Sequence, residues 1–409
     1  YDGIVAAAMV NELNDRLLMG SISKVAQPEK DELLLTVKCS RRLVRLTISA
    51  NASAPVVCLR EDNALSPATA PNFCMTLRKH IGGGRITRIF QPSSAFRSGY
   101  ESSGRIHEGL ERIIVFSIEH LDEMGDLSEK YLICELMGKH SNIILARQDL
   151  TVIDSIKHVS AAVSSVREVL PGKTYFVAQT QEKLNLLTTD YQTYYQTVTG
   201  KAQPLFKALY GSFTGLSPIL SQELCYRAGL DGEASTAAYA ESAYHTLYLE
   251  LEKLTTTIRE ETFAPCIAYR GKQPVEYAAV PLTMYAGNTS DSSDHLVSYN
   301  SMSALLEAYY AEKNTLTRIR QKSADLRHVV QTALERNVKK YDLQLRQMQD
   351  TEKRDKYRVY GELLNTYGYS AAPGAKSIEV INYYTNEPLT IPLDETLSAT
   401  ENAKRYFEK

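Results

Sequence analysis

The chain has 409 residues, 46 basic and 48 acidic side chains, 44% hydrophobic residues and a formal net charge of -2. That is the composition of a soluble globular protein with room for two or three compact units. No run approaches the roughly 20 apolar residues of a membrane-spanning helix, so no membrane partner is expected. There is also no basic cluster leading into an apolar core and a small-residue cleavage site, which makes the cytoplasm the expected compartment.

In chain order, Val5, Met9, Val10, Leu13 and Leu17 fall at helical spacing over residues 4–18, ended by Met19-Gly20. Short strand-like runs follow at Glu32–Lys38, Leu43–Ser49, Pro55–Leu59, Arg85–Gln91, Arg112–Glu119, Lys130–Glu135, Asn142–Ala146 and Val152–Ile156, with one helix among them, Asn72–Ile81. So many short strands between turn residues predict a sandwich or open barrel with helices packed on it. From about Gln181 to Glu260 the pattern becomes helical, rich in Ala, Leu and Tyr, with the last helix beginning near Thr236. A hairpin, Pro265–Arg270 with Val275–Val280 around Gly271-Lys272-Gln273-Pro274, leads to an acidic, Ser-rich loop at Asn288–Asp294.

From Ala304 to Tyr360 neither Gly nor Pro interrupts the chain, and Leu316, Ile319, Ser323, Leu326, Val330, Ala333 and Asn337 alternate three and four apart. That is the seam of a coiled coil. A helix of about 55 residues reaches about 80 Å, longer than a compact domain needs, so it is expected to protrude. Between Lys313 and Arg358 stand 13 basic residues against six acidic ones, so this arm is basic and the remainder acidic. Only Leu397–Lys409 offers a matching stretch, which predicts an antiparallel hairpin with its return arm beyond these residues.

Several segments suit anionic ligands. Thr214-Gly215-Leu216-Ser217-Pro218 lies between two amphipathic segments. A Gly turn, a Ser cap and a Pro at the first helical position expose N–H groups at a helix start, as in a helix-hairpin-helix phosphate site; a plain capped helix–helix turn has the same pattern. Arg78, Lys79, His80 and Arg85 cluster around Gly82-Gly83-Gly84, and Lys139, His140, Ser141 and Asn142 lie between two strands. Side chains and unpaired N–H groups can meet phosphates at both, although each is also a common kind of solvated turn. The six cysteines (Cys39, Cys58, Cys74, Cys134, Cys225, Cys266) lie far apart with no Cys-x-x-Cys, so core thiols are expected and neither a metal nor a cofactor is called for.

Taken together, blocks along nearly the whole chain resemble the NFACT family. They include Tyr1-Asp2-Gly3 with Asn11-Glu12-Leu13, Phe73-Cys74-Met75 with Leu77-Arg78-Lys79-His80, and Glu111-Arg112-Ile113. They continue through Glu135-Leu136-Met137-Gly138-Lys139-His140-Ser141-Asn142, Ile153-Asp154-Ser155-Ile156-Lys157-His158, Leu170-Pro171-Gly172 with Tyr175, and Gly215-Leu216-Ser217-Pro218. Later blocks are Tyr360-Gly361-Glu362-Leu363-Leu364, Val380-Ile381-Asn382-Tyr383-Tyr384 and Ile391-Pro392-Leu393-Asp394. The resemblance implies an α+β fold: a β-rich N-terminal domain like that of formamidopyrimidine-type DNA glycosylases over 1–178, and a helix-hairpin-helix domain over 179–260. It further implies a small β extension over 261–302, the first arm of a coiled coil over 303–365, and a β hairpin with the start of the return arm over 366–409. A second arm and an NFACT-R domain, also implied, are not among these residues.

Such proteins bind the large ribosomal subunit that carries a stalled peptidyl-tRNA and bring in tRNA for untemplated C-terminal tailing, with alanine in the bacterial branch. The resemblance therefore implies an adaptor without an active site of its own, with tRNA, tRNA-Ala in particular, and the large subunit as partners. Asp2 and the Glu111-Arg112 pair would meet tRNA, although the family pattern at the pair is Asp-Arg and Glu moves the carboxylate out by one methylene. Arg78, Lys79, His80, Arg85, Lys139, His140, Ser141 and Asn142 would join them in one basic groove, with Gly215, Leu216, Ser217 and Pro218 as a phosphate turn. Lys339, Lys340, Arg346, Lys353 and Arg354 would carry the ribosome-binding arm.

Two rivals stand beside this. A glycosylase-like enzyme would need an N-terminal Pro-Glu pair and a four-cysteine zinc finger, where this chain has Tyr1-Asp2-Gly3 and no paired cysteines. A surface adhesin for fibronectin, which an older family name suggests, is disfavoured by the lack of a leader, an anchor motif or a disulfide pattern.

Overall fold

A computed structural model describes residues 1–40, 42–61, 69–121, 124–178, 182–286 and 294–409, with the helical backbone alone at 312–325. The chain divides into two compact units, Tyr1–Thr315 and Leu316–Lys409. The fold class is α+β.

The first unit opens with α1 (Gly3–Leu17), capped by Asp2 and buried almost all round, which is why its sequence is Ala-rich and weakly amphipathic. Four strands follow, β1 (Ser21–Glu29), β2 (Glu32–Cys39), β3 (Arg42–Ser49) and β4 (Val56–Arg60), then α2 (Asn72–Ile81). Five more are β5 (Arg85–Phe90), β6 (Ile113–Leu121), β7 (Leu127–Glu135), β8 (Asn142–Arg147) and β9 (Val152–Ser155). All join one antiparallel sheet in the order β4-β3-β2-β1-β5-β6-β7-β8-β9.

Among the described residues the two halves of the sheet share the register pair Ser21 with Arg85, flanked by hydrogen bonds from Ile22 N–H to Gly84 and from Ile86 N–H to Gly20. The expected sandwich or barrel is thus one open sheet pinched at that junction, and both halves share a core with α1 and α2. β1 escapes the sequence pattern because Ser21, Ser23, Lys24, Gln27, Pro28 and Glu29 dilute its apolar residues. On β6, Ile114, Phe116 and Ile118 face the helices. Ile113 and Val115 join Phe90, Phe96, Ile133, Ile144 and Tyr175 on the other face. Burial on both faces makes β6 a continuous apolar run.

The helical region comprises α3 (Tyr191–Thr199), α4 (Leu205–Ser212), α5 (Pro218–Arg227) and α6 (Glu241–Arg259). Its start near Gln181 lies outside the described residues. α6 begins five residues after Thr236, which instead opens a separate 3-10 turn capped by Ser235. β10 (Cys266–Arg270), β11 (Gln273–Ala278) and β12 (Asp294–Ser298) form a small sheet in the order β11-β10-β12. The expected acidic loop falls outside the described residues except for Asp294, which starts β12 and pairs with Arg270.

The long helix α7 spans Met302–Tyr367, past both ends of the stretch first read as helix. Its first turn is anchored by Ser303, whose N–H donates to Glu12 and whose hydroxyl accepts from Leu59 N–H. In the second unit the end of α7 packs with β13 (Ser377–Asn382), β14 (Glu387–Pro392) and α8 (Ala399–Phe407) around Tyr360, Leu363, Leu364, Ile378, Val380 and Ile391. A Cβ on Gly361 would lie 2.7 Å from the Phe407 ring, and one on Gly368 2.9 Å from Ala399, so α8 runs back along α7. On the described part of the seam, Leu326, Val330, Ala333 and Asn337 are exposed.

Candidate nucleic-acid interface

Four segments distant in sequence line one cavity of about 450 Å³ in the first unit. They are the start of α1 (Tyr1, Asp2, Gly3), the approach to β6 (Leu110, Glu111, Arg112), the α4–α5 turn (Thr214–Ile219) and β11 (Glu276, Tyr277), with Met137 and Lys183 beside them.

The convergence begins with two glycines. Gly3 N–H donates to the Gly215 carbonyl at 3.0 Å. A Cβ on Gly3 would sit 2.1 Å from the Leu110 carbonyl oxygen and 2.4 Å from the Gly215 Cα. Gly215 has φ +91, and a Cβ there would meet Leu110 Cβ at 2.5 Å. Only glycine permits this approach, and in its turn only glycine is at ease at that φ.

Asp2 locks the junction. Its Oδ1 accepts from Ile4 N–H (3.1 Å) and Val5 N–H (2.9 Å), while its Oδ2 accepts from the Ser217 hydroxyl at 2.6 Å. Ser217 in turn caps α5 by accepting from Leu220 N–H. One carboxylate thus caps α1 and ties it to the cap of α5. Buried Gln91 adds a third tie, its side-chain amide donating to the carbonyls of Gly3 (2.8 Å) and Glu111 (2.7 Å).

The charged wall is Glu111, Arg112 and Lys183. Burial pushes the Glu111 carboxyl up against the opposing pull of Arg112 and Lys183. Burial pulls the Lys183 ammonium down, helped by Arg112 and opposed by Glu111. Lys183 donates to the Tyr210 carbonyl at 2.8 Å. Arg112 is anchored through its backbone, whose carbonyl accepts from Leu136 N–H, and its side chain is exposed. The arrangement can clamp an anion between Arg112 and Lys183, with the Ile219 N–H at the start of α5 alongside.

The structure gathers Asp2, Glu111, Arg112, Gly215, Leu216, Ser217 and Pro218 at this cavity. Sequence alone gave no sign of Lys183, Gln91, Glu276 or Tyr277, since nothing in a lone Lys or a β11 Glu-Tyr pair marks its neighbours.

The other predicted residues do not line this cavity, and they divide between the two ends of β6 in place of a single groove. Glu119 on β6 pairs with Arg85, while Arg112 precedes the opposite end of the same strand, roughly 23 Å away at about 3.3 Å per residue. Arg78, Lys79 and His80 end α2 on the Arg85 side; Arg78 donates to the Val25 carbonyl at 3.0 Å, and Lys79 and His80 line a second cavity. Lys139 and His140, exposed in a 3-10 turn after β7, lie on the Arg112 side, because Glu135 pairs with Ile113.

Two further corrections concern donors. The N–H groups of Gly82, Gly83 and Gly84 donate to Arg78, Ile22 and Ile81 carbonyls, so that turn holds the chain and cradles no phosphate. Ser141 and Asn142 are buried and committed. The Ser141 hydroxyl accepts from Met137 N–H, and Asn142 bonds both Lys157 N–H and the Lys157 carbonyl. Lys157, part of the Ile153–His158 family block but not among the predicted site residues, donates to the carbonyls of Ser141 (3.0 Å) and Ala50.

The family model for the NFACT N-terminal and middle domains matches residues 2–409. This chain belongs to the NFACT family. It is 31% identical over 413 residues to the Rqc2 homolog RqcH of Bacillus subtilis (strain 168), and 31% identical over 411 residues to that of Streptococcus suis (strain 05ZYH33). Each alignment takes in 100% of this chain and 66% of the relative, so the chain spans somewhat less than two thirds of the relatives' length. Among solved structures, the N-terminal part of the fibronectin/fibrinogen-binding protein from Streptococcus suis is 28% identical, with a TM-score of 0.58 over 76% of this chain and 99% of that one. The fibrinogen binding protein from Staphylococcus aureus is 25% identical, with a TM-score of 0.59 over 76% of this chain and 98% of that one. Among the described residues of this family member, no helix is long and apolar enough to cross a membrane.

Proposed function

We propose that this chain is the tRNA- and ribosome-binding portion of a ribosome-associated quality control factor. It binds stalled large subunits carrying peptidyl-tRNA in the cytoplasm and recruits tRNA, alanyl-tRNA in particular, for untemplated tailing. It acts as an adaptor, with peptide transfer done by the ribosome. The observation that carries the reading is the meeting, in one cavity, of Asp2, Glu111-Arg112 and the Gly215–Pro218 turn, residues that the family resemblance ties to tRNA and that lie up to about 200 positions apart. Within it Arg112 and Lys183 supply anion contacts, and Asp2 holds the turn in place. The exposed cations of α7 (Lys339, Lys340, Arg346, Lys353, Arg354) supply sequence-independent attraction to ribosomal RNA.

The test is co-purification of tRNA with Arg112→Ala, a variant whose exposed side chain can be removed without opening the core. Recovery of tRNA should fall about tenfold or more, as for loss of a charge-assisted phosphate contact, with the urea midpoint unchanged. Sequencing of the RNA recovered with the parent chain should show tRNA-Ala enriched. Parent-level tRNA recovery by Arg112→Ala would overturn the reading. The names of the two solved relatives carry a second reading, binding of fibronectin or fibrinogen. Capture of the purified chain on immobilised fibronectin, unaffected by Arg112→Ala, would favour it.

A further inference from the structure

A second cavity, of about 850 Å³, lies at the other end of β6, between the last turn of α2 and strands β6 to β8. Lys79 and His80 reach it from α2, His120 from the end of β6, Lys130 from β7 and Arg147 from the end of β8. We propose that this cavity is a separate subsite for the phosphodiester backbone of RNA, which it holds without reading bases. The inference rests on the RNA-binding reading above and adds to it a second contact point, outside the Asp2–Arg112 cavity.

Cations in the last turn of a helix answer the helix dipole, and that alone accounts for Lys79 and His80. It does not account for Lys130 or Arg147, which come from strands. Lys130 is only 8% exposed, a position that costs solvation, and its ammonium donates to the Ser128 hydroxyl at 2.7 Å. His120 Nδ1 is buried and, among the described residues, has no hydrogen-bond partner. Two carboxylates also line the cavity: Asp149, which accepts from Thr151 N–H at 2.9 Å, and Glu129, which accepts from the Ser117 hydroxyl. Burial disfavours His80 as a cation, and its neighbours Lys130, Lys79, His120 and Arg147 push it down further.

The ligand class follows from what the lining holds. Among the described residues its only rings are the imidazoles of His80 and His120, with no Phe, Tyr or Trp beside them, while Lys79, Lys130 and Arg147 supply the cations. Convergent Lys and Arg cations suit phosphate groups, whose contacts position a nucleic acid and carry no sequence information.

The experiment uses the full 409-residue chain, a tRNA transcript and fluorescence anisotropy between 50 and 200 mM salt. Lys79→Gln with Arg147→Gln alters two exposed side chains and leaves buried Lys130 alone. The slope of log affinity against log salt should flatten by about 1.4 to 1.8, the effect of two lost phosphate contacts, and affinity at the lowest salt should fall about tenfold. In the parent chain the His80 and His120 imidazole resonances should shift on adding the transcript, and inorganic tripolyphosphate should reproduce that shift. A parent-like slope and affinity in the double variant, while Arg112→Ala weakens binding, would overturn this subsite and leave the proposed function standing. Absence of RNA binding by the parent chain would overturn both. An acidic peptide such as oligoglutamate that shifts the two imidazoles more effectively than tripolyphosphate would reassign the cavity to a protein partner and overturn the RNA assignment.

Discussion

The Asp2–Arg112 cavity and the outer part of α7 are both candidate RNA contacts, yet their charges are used in opposite ways. Around the cavity, polar side chains are committed to neighbours: Asp2 to two N–H groups and Ser217, Gln91 to two carbonyls, Lys183 to Tyr210. On α7, Lys339, Lys340, Arg346, Lys353 and Arg354 are exposed, and the ion pairs recorded there are loose, such as Lys353 with Asp350 at 3.6 Å. Such surface pairs contribute little. The difference teaches that a substitution at one of these committed residues changes structure before it changes charge, whereas one on α7, or at exposed Arg112, changes only charge. The first region preorganises a small site; the second supplies a diffuse, salt-dependent field.

The strongest way to break this comparison is Gly3→Ala. Its Cβ would strike two backbone groups that cannot rotate away, Leu110 O and Gly215 Cα. Urea unfolding should show a loss of about 3 kcal/mol, the upper range for overpacking. A loss under about 1 kcal/mol would mean that the junction yields, and the cavity would not be preorganised.

Asp2→Ala comes next. Removing the cap of α1 together with the acceptor for Ser217 should cost about 1 to 2 kcal/mol, and Asp2→Asn, which keeps one oxygen acceptor, should lose less. If Asp2→Ala also lowers tRNA recovery, Ser217→Ala should lower it in the same direction. That outcome identifies Asp2 as a positioning residue for the turn.

Glu111 gives a pH test of the buried wall. Its folded-state carboxyl is raised above the ordinary 4.5 mainly by burial, so between those two values the folded state holds a proton that the unfolded state has lost. Stability contributed by that proton is present at low pH and declines as pH rises through the window. Glu111→Gln should remove this decline, so parent and variant unfolding curves compared stepwise upward from about pH 4 should diverge. Parallel curves would place Glu111 in solvent.

The smallest effect on stability is expected on α7. Lys339→Glu, Lys340→Glu and Arg346→Glu together should leave the unfolding midpoint within about 0.5 kcal/mol of the parent, as for surface sites generally. Sedimentation with large ribosomal subunits should weaken and lose part of its salt dependence. An unchanged sedimentation profile across salt concentrations would remove α7 from the interface.

Local sequence determined the elements whose signal is local. The five apolar residues at helical spacing in 4–18 specify α1. The uninterrupted 304–360 stretch specifies a long helix, and Gly215-Leu216-Ser217-Pro218 specifies a turn followed by a capped helix, because periodicity, capping and backbone permissiveness act within a few residues. Tertiary structure alone decided which of these meet. That Gly82, Gly83 and Gly84 spend their N–H groups on the chain, that Ser141 and Asn142 are buried, and that Lys183 faces Glu111 and Arg112 all depend on strand order and helix docking. Arg85 and Arg112 could be assigned to one groove only while β6 was unplaced; its length puts them at opposite ends. A basic cluster in sequence reports charge, and whether that charge faces water, a carbonyl or a ligand is set by packing across residues far apart in the chain.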